Sequence, residues 1–266
     1  MSAPGAPAGE PDTRSLARAW PERLRGVVNL VALDSVGSTQ SLARRILDHH
    51  FSEDETPEPF AVAALEQTAG RGRRGRPWAS APGLGIWVSL ALPFEDPGAL
   101  QSLAPRVAVS LAETANRWVG GGCRLKWPND LTHEGRKLGG VLIDAISRAS
   151  GPSWAIVGLG VNHGHGADDL PTLQASSLVH AGGDPPPLPE ALGELVAEVW
   201  SASGGEADWI ERFRALSAHR PGDPLECETA SGERVSGRFV GFDDLGHLRI
   251  ESAEGPRTVT SGEVFG

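Results

Sequence analysis

Short apolar runs separated by polar connections recur along this chain, in an order typical of a mixed α/β domain. Their short length and their β-branched residues predict strands rather than helices. The predicted strands are VVNLVAL from Val27, FAVAALEQ from Phe60, GIWVSLAL from Gly85, CRLKW from Cys123, KLGGVLIDAIS from Lys137 and SWAIVGLGV from Ser153.

Other stretches have the spacing of amphipathic helices. TQSLARRILDHH follows the first strand, and Ser38 or Thr39 can cap its start. A second helix is predicted to open at Pro105 and to stop at the glycines beginning at Gly120. Two further helical patterns, PEALGELVAEVWSA and EADWIERFRALSA, complete a predicted α/β layer.

The pattern changes at about Pro221, where short alternating runs are separated by Gly- and Asp-containing turns. This arrangement predicts a small antiparallel barrel of about five strands. The Pro/Gly/Ala-rich start cannot bury much surface. We therefore expect a disordered or poorly structured segment at 1–26, a main domain at 27–219 and a small β-barrel domain at 220–266.

Composition narrows the classes of protein that fit. The 266 residues are 39% hydrophobic, which allows a sizeable core, and the formal net charge is −10. That acidity argues against a chain that wraps nucleic acid. Neither a long apolar span nor a signal peptide is evident, so we expect a cytoplasmic location and no membrane contact. Cys123 and Cys227 have no metal or disulfide pattern, so both are expected to be free thiols.

Against this acidic background, residues 70–78 read GRGRRGRPW. The first six letters match the dinucleotide fingerprint G-x-G-x-x-G, which requires a preceding strand and a following helix. Pro77, Pro82 and Gly83 leave no room for that helix, so the segment is predicted to connect two strands. Such a basic loop either binds an anion or is solvated surface.

Four segments place polar groups at predicted strand ends, where ligands collect in open α/β sheets: GSTQ, QTAGRGRRGRPW, KWPNDLTHEGRKLGG and GLGVN. Lys137 supplies a positive charge, which Asp130 can orient unless it binds a metal. Asn162 has the donor and acceptor that can read adenine. His163 and His165 resemble a metal pair but lack a suitably spaced third ligand, so we expect them to be solvated.

In this order, EQTAGRGRRGRPW, KWPNDL, RKLGGVL and GLGVN resemble the biotin protein ligases over about residues 27–266. The resemblance implies an α+β fold, with a mixed-sheet catalytic domain of the biotin/lipoate ligase type and a small C-terminal SH3-like β-barrel. It also implies that biotin and ATP, with Mg²⁺, form biotinyl-5′-AMP and pyrophosphate. The biotinyl group would then pass to a lysine of a biotin carboxyl carrier domain, with release of AMP.

Carried over motif by motif, the resemblance assigns residues to three overlapping groups. Biotin would contact Ser38, Thr39, Gln40, Gln67, Gly70, Arg71, Gly72, Arg73, Lys137 and Gly140. ATP would contact Arg73, Arg76, Trp78, Asn129, Lys137 and Asn162. The catalytic set would be Lys137, Arg73, Arg76 and Asp130, with Asp130 either holding Mg²⁺ or helping to deprotonate the acceptor amine.

Two departures qualify this resemblance. The family has Asn where this chain has Gln40, so the role of that residue is open. The members that repress transcription have an N-terminal helix-turn-helix domain, whereas only about 25 residues precede Val27, so DNA binding is not expected.

Two other functions remain possible at this stage. One is a lipoate-protein ligase, which shares adenylate chemistry on a related fold. The other is a non-catalytic RNA-binding module that uses the Gly/Arg loop and Trp127. The acidic balance and the absence of Tyr weigh against the RNA-binding module.

Overall fold

The structure is a computed structural model that describes residues 11–148, 151–205 and 207–265. Its centre is a seven-stranded mixed sheet in the order β1-β2-β3-β7-β6-β5-β4. The strands are β1 (Asn29–Val36), β2 (Phe60–Gln67), β3 (Gly85–Phe94), β4 (Cys123–Lys126), β5 (Asp130–His133), β6 (Arg136–Ile146) and β7 (Ser153–Asn162). All six predicted strands are present; β5 was not separately predicted.

Only the first strand pair is parallel. β1 and β2 are joined through helix α2 (Thr39–Ser52), and the remaining pairs in this sheet are antiparallel. Ser38 caps α2 by accepting a hydrogen bond from the Ser41 backbone N–H at 3.4 Å, as its position before the helix predicts. The β1-to-α2 turn and the C-terminal end of β2 therefore lie side by side at one edge of the sheet.

Helices cover both faces of the sheet. Helix α2 packs on one face, where Ala43 and Leu47 meet Trp154 in a separate apolar cluster. On the other face lie α3 (Leu103–Val119) and α4 (Leu188–Ser203), followed by α5 (Trp209–Leu216). Gly120 ends α3 in the left-handed conformation at φ 81°, as predicted. Pro105 lies two residues inside α3 rather than at its start.

The N-terminal segment differs from the expectation of disorder. Residues 1–10 lie outside the described part of the chain, but α1 (Thr13–Arg18) begins at an Asp12 capping box. Leu16, Trp20 and Leu24 are buried at 1%, 6% and 0% exposure and belong to the main core. The Pro/Gly/Ala-rich composition at the start of the chain masked these three anchors.

A second sheet is formed by β8 (Pro224–Thr229), β9 (Arg234–Phe242), β10 (Leu248–Ser252), β11 (Gly255–Val259) and β12 (Gly262–Phe265). Its order is β11-β10-β9-β8-β12, so within the described residues the two end strands are not paired and the predicted barrel is open. Phe213 of α5 packs edge-on against Phe242 at 4.8 Å between ring centroids. This contact makes the core of the small sheet continuous with the main core.

Cys123 and Cys227 are both buried and free, as expected. Burial raises the pKa of the Cys123 thiol to about 11. No helix in the described part of the chain is long and apolar enough to cross a membrane.

Candidate active site

A cavity of about 720 Å³ opens where the ends of the main strands meet the arginine-rich loop. Its wall includes every residue that the sequence analysis assigned to a ligand. These are Ser38, Thr39, Gln40, Gln67, Gly70, Arg71, Gly72, Arg73, Arg76, Trp78, Asn129, Asp130, Lys137, Gly140 and Asn162. Four segments that are far apart in sequence therefore form one site.

One part of the wall is a network of uncharged polar side chains, which we call the neutral end: Ser38, Thr39, Gln40, Gln67, Ser80 and Ser89. Gln67 Oε1 accepts from the Thr39 backbone N–H at 2.9 Å and lies 3.1 Å from its hydroxyl. The Thr39 hydroxyl is also 2.9 Å from Ser89 Oγ. These bonds fix the Thr39 and Gln67 side chains before any ligand arrives.

Gln40 extends the neutral end into the core. Its Nε2 donates to the Ile156 carbonyl at 3.0 Å, and its Oε1 accepts from Ser89 Oγ at 2.9 Å. Gly158 makes room for this side chain, since a Cβ at that position would lie 2.5 Å from Gln40 Oε1. Gln40 is 3% exposed, so its observed role is to hold Ser89 in place at the cavity wall.

Lys137 and Asp130 form an ion pair in the cavity wall, with Nζ 2.6 Å from Oδ1. Strands β5 and β6 are antiparallel neighbours, which explains how two residues seven apart in sequence meet. Lys137 Nζ also lies 5.0 Å from the centroid of the Trp78 ring. The pair is part-exposed, so the ammonium group is oriented and remains accessible.

Trp78 lies against Gly160, where a Cβ would approach Cε2 of the indole to 2.8 Å. Its edge meets Trp87 at 6.5 Å between ring centroids. Within the described residues, the buried Nε1 of Trp78 has no hydrogen-bond partner. A flat ring with an unused donor suits a planar heterocycle, although packing alone also explains its position.

The arginine-rich loop contacts the small C-terminal sheet. Arg76 donates to Glu263 at 2.6 Å, and Arg74 forms ion pairs with Glu228 and Glu263. Arg73 donates to the Gly262 carbonyl at 2.9 Å and lies 3.4 Å from Asn129 Oδ1. These three arginines therefore have defined protein partners, while the side chains of Arg74 and Arg76 stay exposed to solvent.

Burial and neighbouring charges shift the pKa values of Arg73 and Arg74. Burial lowers the pKa of Arg73, while the nearby Asp130 carboxylate raises it. The hydrogen bond and the charge of Glu228 raise the pKa of Arg74, and the same pair lowers the pKa of Glu228. Glu228 and Arg74 therefore stabilise each other's charged form, and Asp130 opposes the effect of burial on Arg73.

Asn162 ends β7, and its side chain is fixed by one hydrogen bond from Nδ2 to the Ser176 carbonyl at 2.8 Å. Within the described residues, its Oδ1 and second amide hydrogen make no further hydrogen bond. The adjoining segment 171–175 lines the cavity and is fastened to β6, because the Lys137 backbone donates to Gln174 and accepts from Ser176. This segment therefore closes one side of the site beside Lys137.

The expectation that His163 and His165 are solvated is wrong. They are 8% and 2% exposed, and burial lowers the pKa of both rings. His163 Nε2 lies 2.9 Å from the Pro186 carbonyl, which can only accept. A run of Gly and His residues is typical of polar surface, but this run directly follows the buried strand β7. No group of three potential metal ligands occurs in the described residues.

The sequence analysis missed several residues of the wall. Ser89 is the single polar residue in the apolar run GIWVSLAL, and that contrast could have marked it. Ser80 and segment 171–175 had no comparable signal. Glu263 and Val264 come from β12, in a domain to which no site residue was assigned from the sequence. Only the tertiary fold brings that strand to the cavity.

Comparisons with known proteins agree with this geometry. The profile of the Biotin/lipoate A/B protein ligase family matches residues 35–162, and that of the Biotin protein ligase C terminal domain matches residues 227–265. The biotin--[acetyl-CoA-carboxylase] ligase of Paracoccus denitrificans is 30% identical over 226 residues, which cover 77% of this chain and 89% of that protein. The bifunctional ligase/repressor BirA of Bacillus subtilis is 28% identical over 254 residues, which cover 89% and 73%.

Among solved structures, the biotin protein ligase of Aquifex aeolicus in complex with biotin and ATP superposes with a TM-score of 0.68. It is 26% identical and the alignment covers 89% of this chain and 97% of that chain. The family profiles therefore match parts of both sheets.

Proposed function

This chain belongs to the biotin protein ligase family, and from that premise we propose how its cavity performs the reaction. The enzyme is a ligase whose substrates are biotin and MgATP. The neutral end binds the uncharged head of biotin, and Lys137 with the arginine-rich loop binds the carboxylate and the phosphates. The observation that supports this division is that a network without charge and a cluster of cations line the same cavity.

Biotin has a ureido ring, which offers two N–H donors and one carbonyl acceptor, and a carboxylate at the end of an apolar chain. The hydroxyls of Ser38 and Thr39 and the amide of Gln67 complement the ureido group. These side chains are already held by hydrogen bonds, so little rotational freedom is lost when the ligand binds.

In the first step, a carboxylate oxygen of biotin attacks the α-phosphorus of ATP. A carbon-bound oxygen forms a new bond to phosphorus, and the bond to the bridging oxygen breaks so that pyrophosphate leaves. Two anions must approach each other, so preorganised positive charge is the main requirement. Lys137 is placed for this role, with Arg73 and Arg76 beside the leaving phosphates.

Asp130 orients Lys137 in this proposal, because its Oδ1 already lies 2.6 Å from the ammonium group. Mg²⁺ favours one or two carboxylates together with substrate phosphates. Among the described residues, Asp130 is the single carboxylate of the cavity that lies next to Lys137. The site therefore suits a Mg²⁺ ion that arrives bound to ATP. Asp130 could then touch that metal or accept the proton of the incoming amine.

In the second step, a lysine amine of a biotin carboxyl carrier domain attacks the carbonyl of biotinyl-5′-AMP. The amide bond forms, the bond from the carbonyl carbon to the phosphate oxygen breaks, and AMP leaves with the electron pair. The mixed anhydride is already activated, so a nucleophilic side chain on the enzyme is not required. Trp78, Asn129 and Asn162 retain the adenylate during this transfer, with Trp78 and Asn162 at the base.

We place this reaction in the cytoplasm, without a membrane or DNA partner. The net charge of −10 disfavours phosphate-backbone binding. We propose that the described main domain, about 27–219, holds the chemistry and that the small sheet, about 220–266, completes the cavity through Glu263 and Val264.

The test is release of pyrophosphate from ATP and Mg²⁺ in the presence of biotin, lipoate or RNA, followed by mass measurement of an added carrier domain. We expect release with biotin only and a single biotinyl addition to the carrier. Release that depends on lipoate would make the chain a lipoate ligase. Binding of RNA without any release would favour the non-catalytic module.

A further inference from the structure

The arginine-rich loop spans the boundary between the two sheets, and two of its arginines, Arg74 and Arg76, are already paired with carboxylates of the small sheet. Two carboxylates line the cavity among the described residues, Asp130 and Glu263. Asp130 is paired with Lys137, whereas Glu263 is paired with Arg76 at 2.6 Å and with Arg74 at 3.5 Å. The carboxylate of Glu263 therefore occupies guanidinium donors on which the phosphates of ATP would depend.

We propose that Glu263 is an internal competitor for the nucleotide. It holds Arg76 against β12 when the site is empty and is displaced by the triphosphate, so that ATP binding releases part of the loop from the C-terminal sheet. This proposal rests on the proposed function, because it assumes that the phosphates bind at this loop.

The contacts differ in how easily they can exchange. The Arg76 side chain is 59% exposed, and it is paired with the Glu263 carboxylate. A phosphate presents the same pair of acceptor oxygens to a guanidinium fork as a carboxylate does. Arg76 can therefore exchange Glu263 for a phosphate at a position that is already exposed to solvent.

Arg73 and Arg74 behave differently in this scheme. Arg73 donates to the backbone carbonyl of Gly262, which is neutral and does not compete for the charge of a phosphate-bound guanidinium. Arg74 keeps a second carboxylate partner, Glu228, when Glu263 is released. These two contacts keep the loop attached to the small sheet while Arg76 exchanges.

The backbone of the loop supports a local change of this kind. Arg74 has a positive φ of 56°, and the turn around it is closed by hydrogen bonds between the Gly72 N–H and the Arg76 carbonyl and between the Arg76 N–H and the Arg73 carbonyl. The Trp78 N–H is bonded to the Gly70 carbonyl. Loss of the Glu263 contact should loosen this small turn first.

The central experiment compares binding of the non-hydrolysable α,β-methylene analogue of ATP, with Mg²⁺, by calorimetry. We expect Glu263→Gln to bind the analogue about two- to fivefold more tightly than wild type, because one partly exposed ion pair no longer has to be broken. The matched control is Glu226→Gln, which also removes one negative charge from the small sheet but whose partner is Arg234.

A double-mutant cycle with Arg76→Gln separates competition from a general change of electrostatic field. If Glu263 competes through Arg76, the gain from Glu263→Gln should disappear in the Arg76→Gln background. A gain that persists there, or that appears equally in Glu226→Gln, would contradict the competition. Unchanged or weaker binding of the analogue by Glu263→Gln would also contradict the competition. Weaker binding would show that the carboxylate supports the loop conformation that binds nucleotide.

Hydrogen exchange gives a second readout that does not need nucleotide. In the absence of ligand, amides of residues 72–78 should exchange faster in Glu263→Gln than in wild type or Glu226→Gln. Equal exchange in all three would contradict a restraining role for Glu263. If wild type failed to bind the analogue at all, the proposed function would be the part that is wrong, and the competition would fall with it.

Discussion

The neutral end and the arginine-rich loop lie in one cavity, yet their partners differ in kind. Thr39 of α2 is hydrogen-bonded to Gln67 and Ser89, which belong to the main sheet. Arg74 and Arg76 are bonded to carboxylates of a separate sheet that is about 150 residues or more away in sequence. The hydrogen bonds of Thr39 lie within the main sheet and α2, whereas the loop depends on contacts that we propose a ligand replaces.

This difference corresponds to what each ligand group needs. An uncharged head group forms hydrogen bonds whose net value is small, so it binds best to donors and acceptors already in place. A triphosphate has much greater charge and can displace a carboxylate from an arginine. We therefore propose that the fold combines a rigid region for specificity with an exchangeable region for the reactive phosphates.

The largest expected effect lies at Lys137, where the two regions meet. Lys137→Ala should reduce biotin-dependent pyrophosphate release by about 10²–10³-fold, because it removes preorganised charge at the attacked phosphate. Arg136→Ala is the matched control, since its exposed side chain contacts His180 outside the cavity. Activity of Lys137→Ala within a few-fold of wild type would remove Lys137 from the proposed mechanism.

A smaller effect is expected in the neutral end. Thr39→Val keeps the shape of the side chain but removes a buried hydroxyl that meets Gln67 and Ser89. We expect a loss of about 1 kcal/mol in the free energy of unfolding and biotin binding weakened by up to about tenfold. ATP-analogue binding should be unchanged. Thr258→Val, at an exposed position of β11, is the control, and an equal loss of ATP affinity would contradict separate regions.

The sequence predicted much of this arrangement, and the failures share a physical cause. The strands were predicted from local apolar runs. The positions of Pro and Gly residues predicted that the arginine-rich loop connects two strands. Helix α1 was missed because the buried anchors Leu16, Trp20 and Leu24 bind a surface that only the folded core provides.

The site shows the same limit. The residue types near Lys137 indicated a positively charged site for anions. The contact of Arg76 with Glu263, however, joins positions 187 residues apart. Local patterns hold no information about such a pairing. The burial of His163 and His165 was likewise decided by neighbouring segments, since a Gly/His run has no apolar period of its own.

The smallest expected effect is a loss of stability at lower pH that leaves the affinity for biotin unchanged. Burial lowers the pKa of His163, His165 and His219 from the ordinary value of 6.5. The unfolded chain then binds more protons than the folded one, so stability is present above about pH 6.5 and is lost as the pH falls toward the lowered values. Urea unfolding from about pH 8 to pH 5.5 should show this decline.

The neutral end has no titrating side chain, so biotin affinity of the folded protein should stay flat over the same pH range. Calorimetry at each pH provides the comparison. A biotin affinity that declines in parallel with stability would mean that the histidines behind β7 control the neutral end, against the division described here.

The most direct test of the account is a crystal structure of this protein with biotin and the α,β-methylene analogue of ATP. The account predicts the ureido ring of biotin within hydrogen-bond distance of Thr39 and Gln67, its carboxylate and the α-phosphate at Lys137, and Arg76 turned from Glu263 toward the phosphates. A biotin head placed among the arginines, or phosphates placed against Thr39 and Gln67, would contradict it.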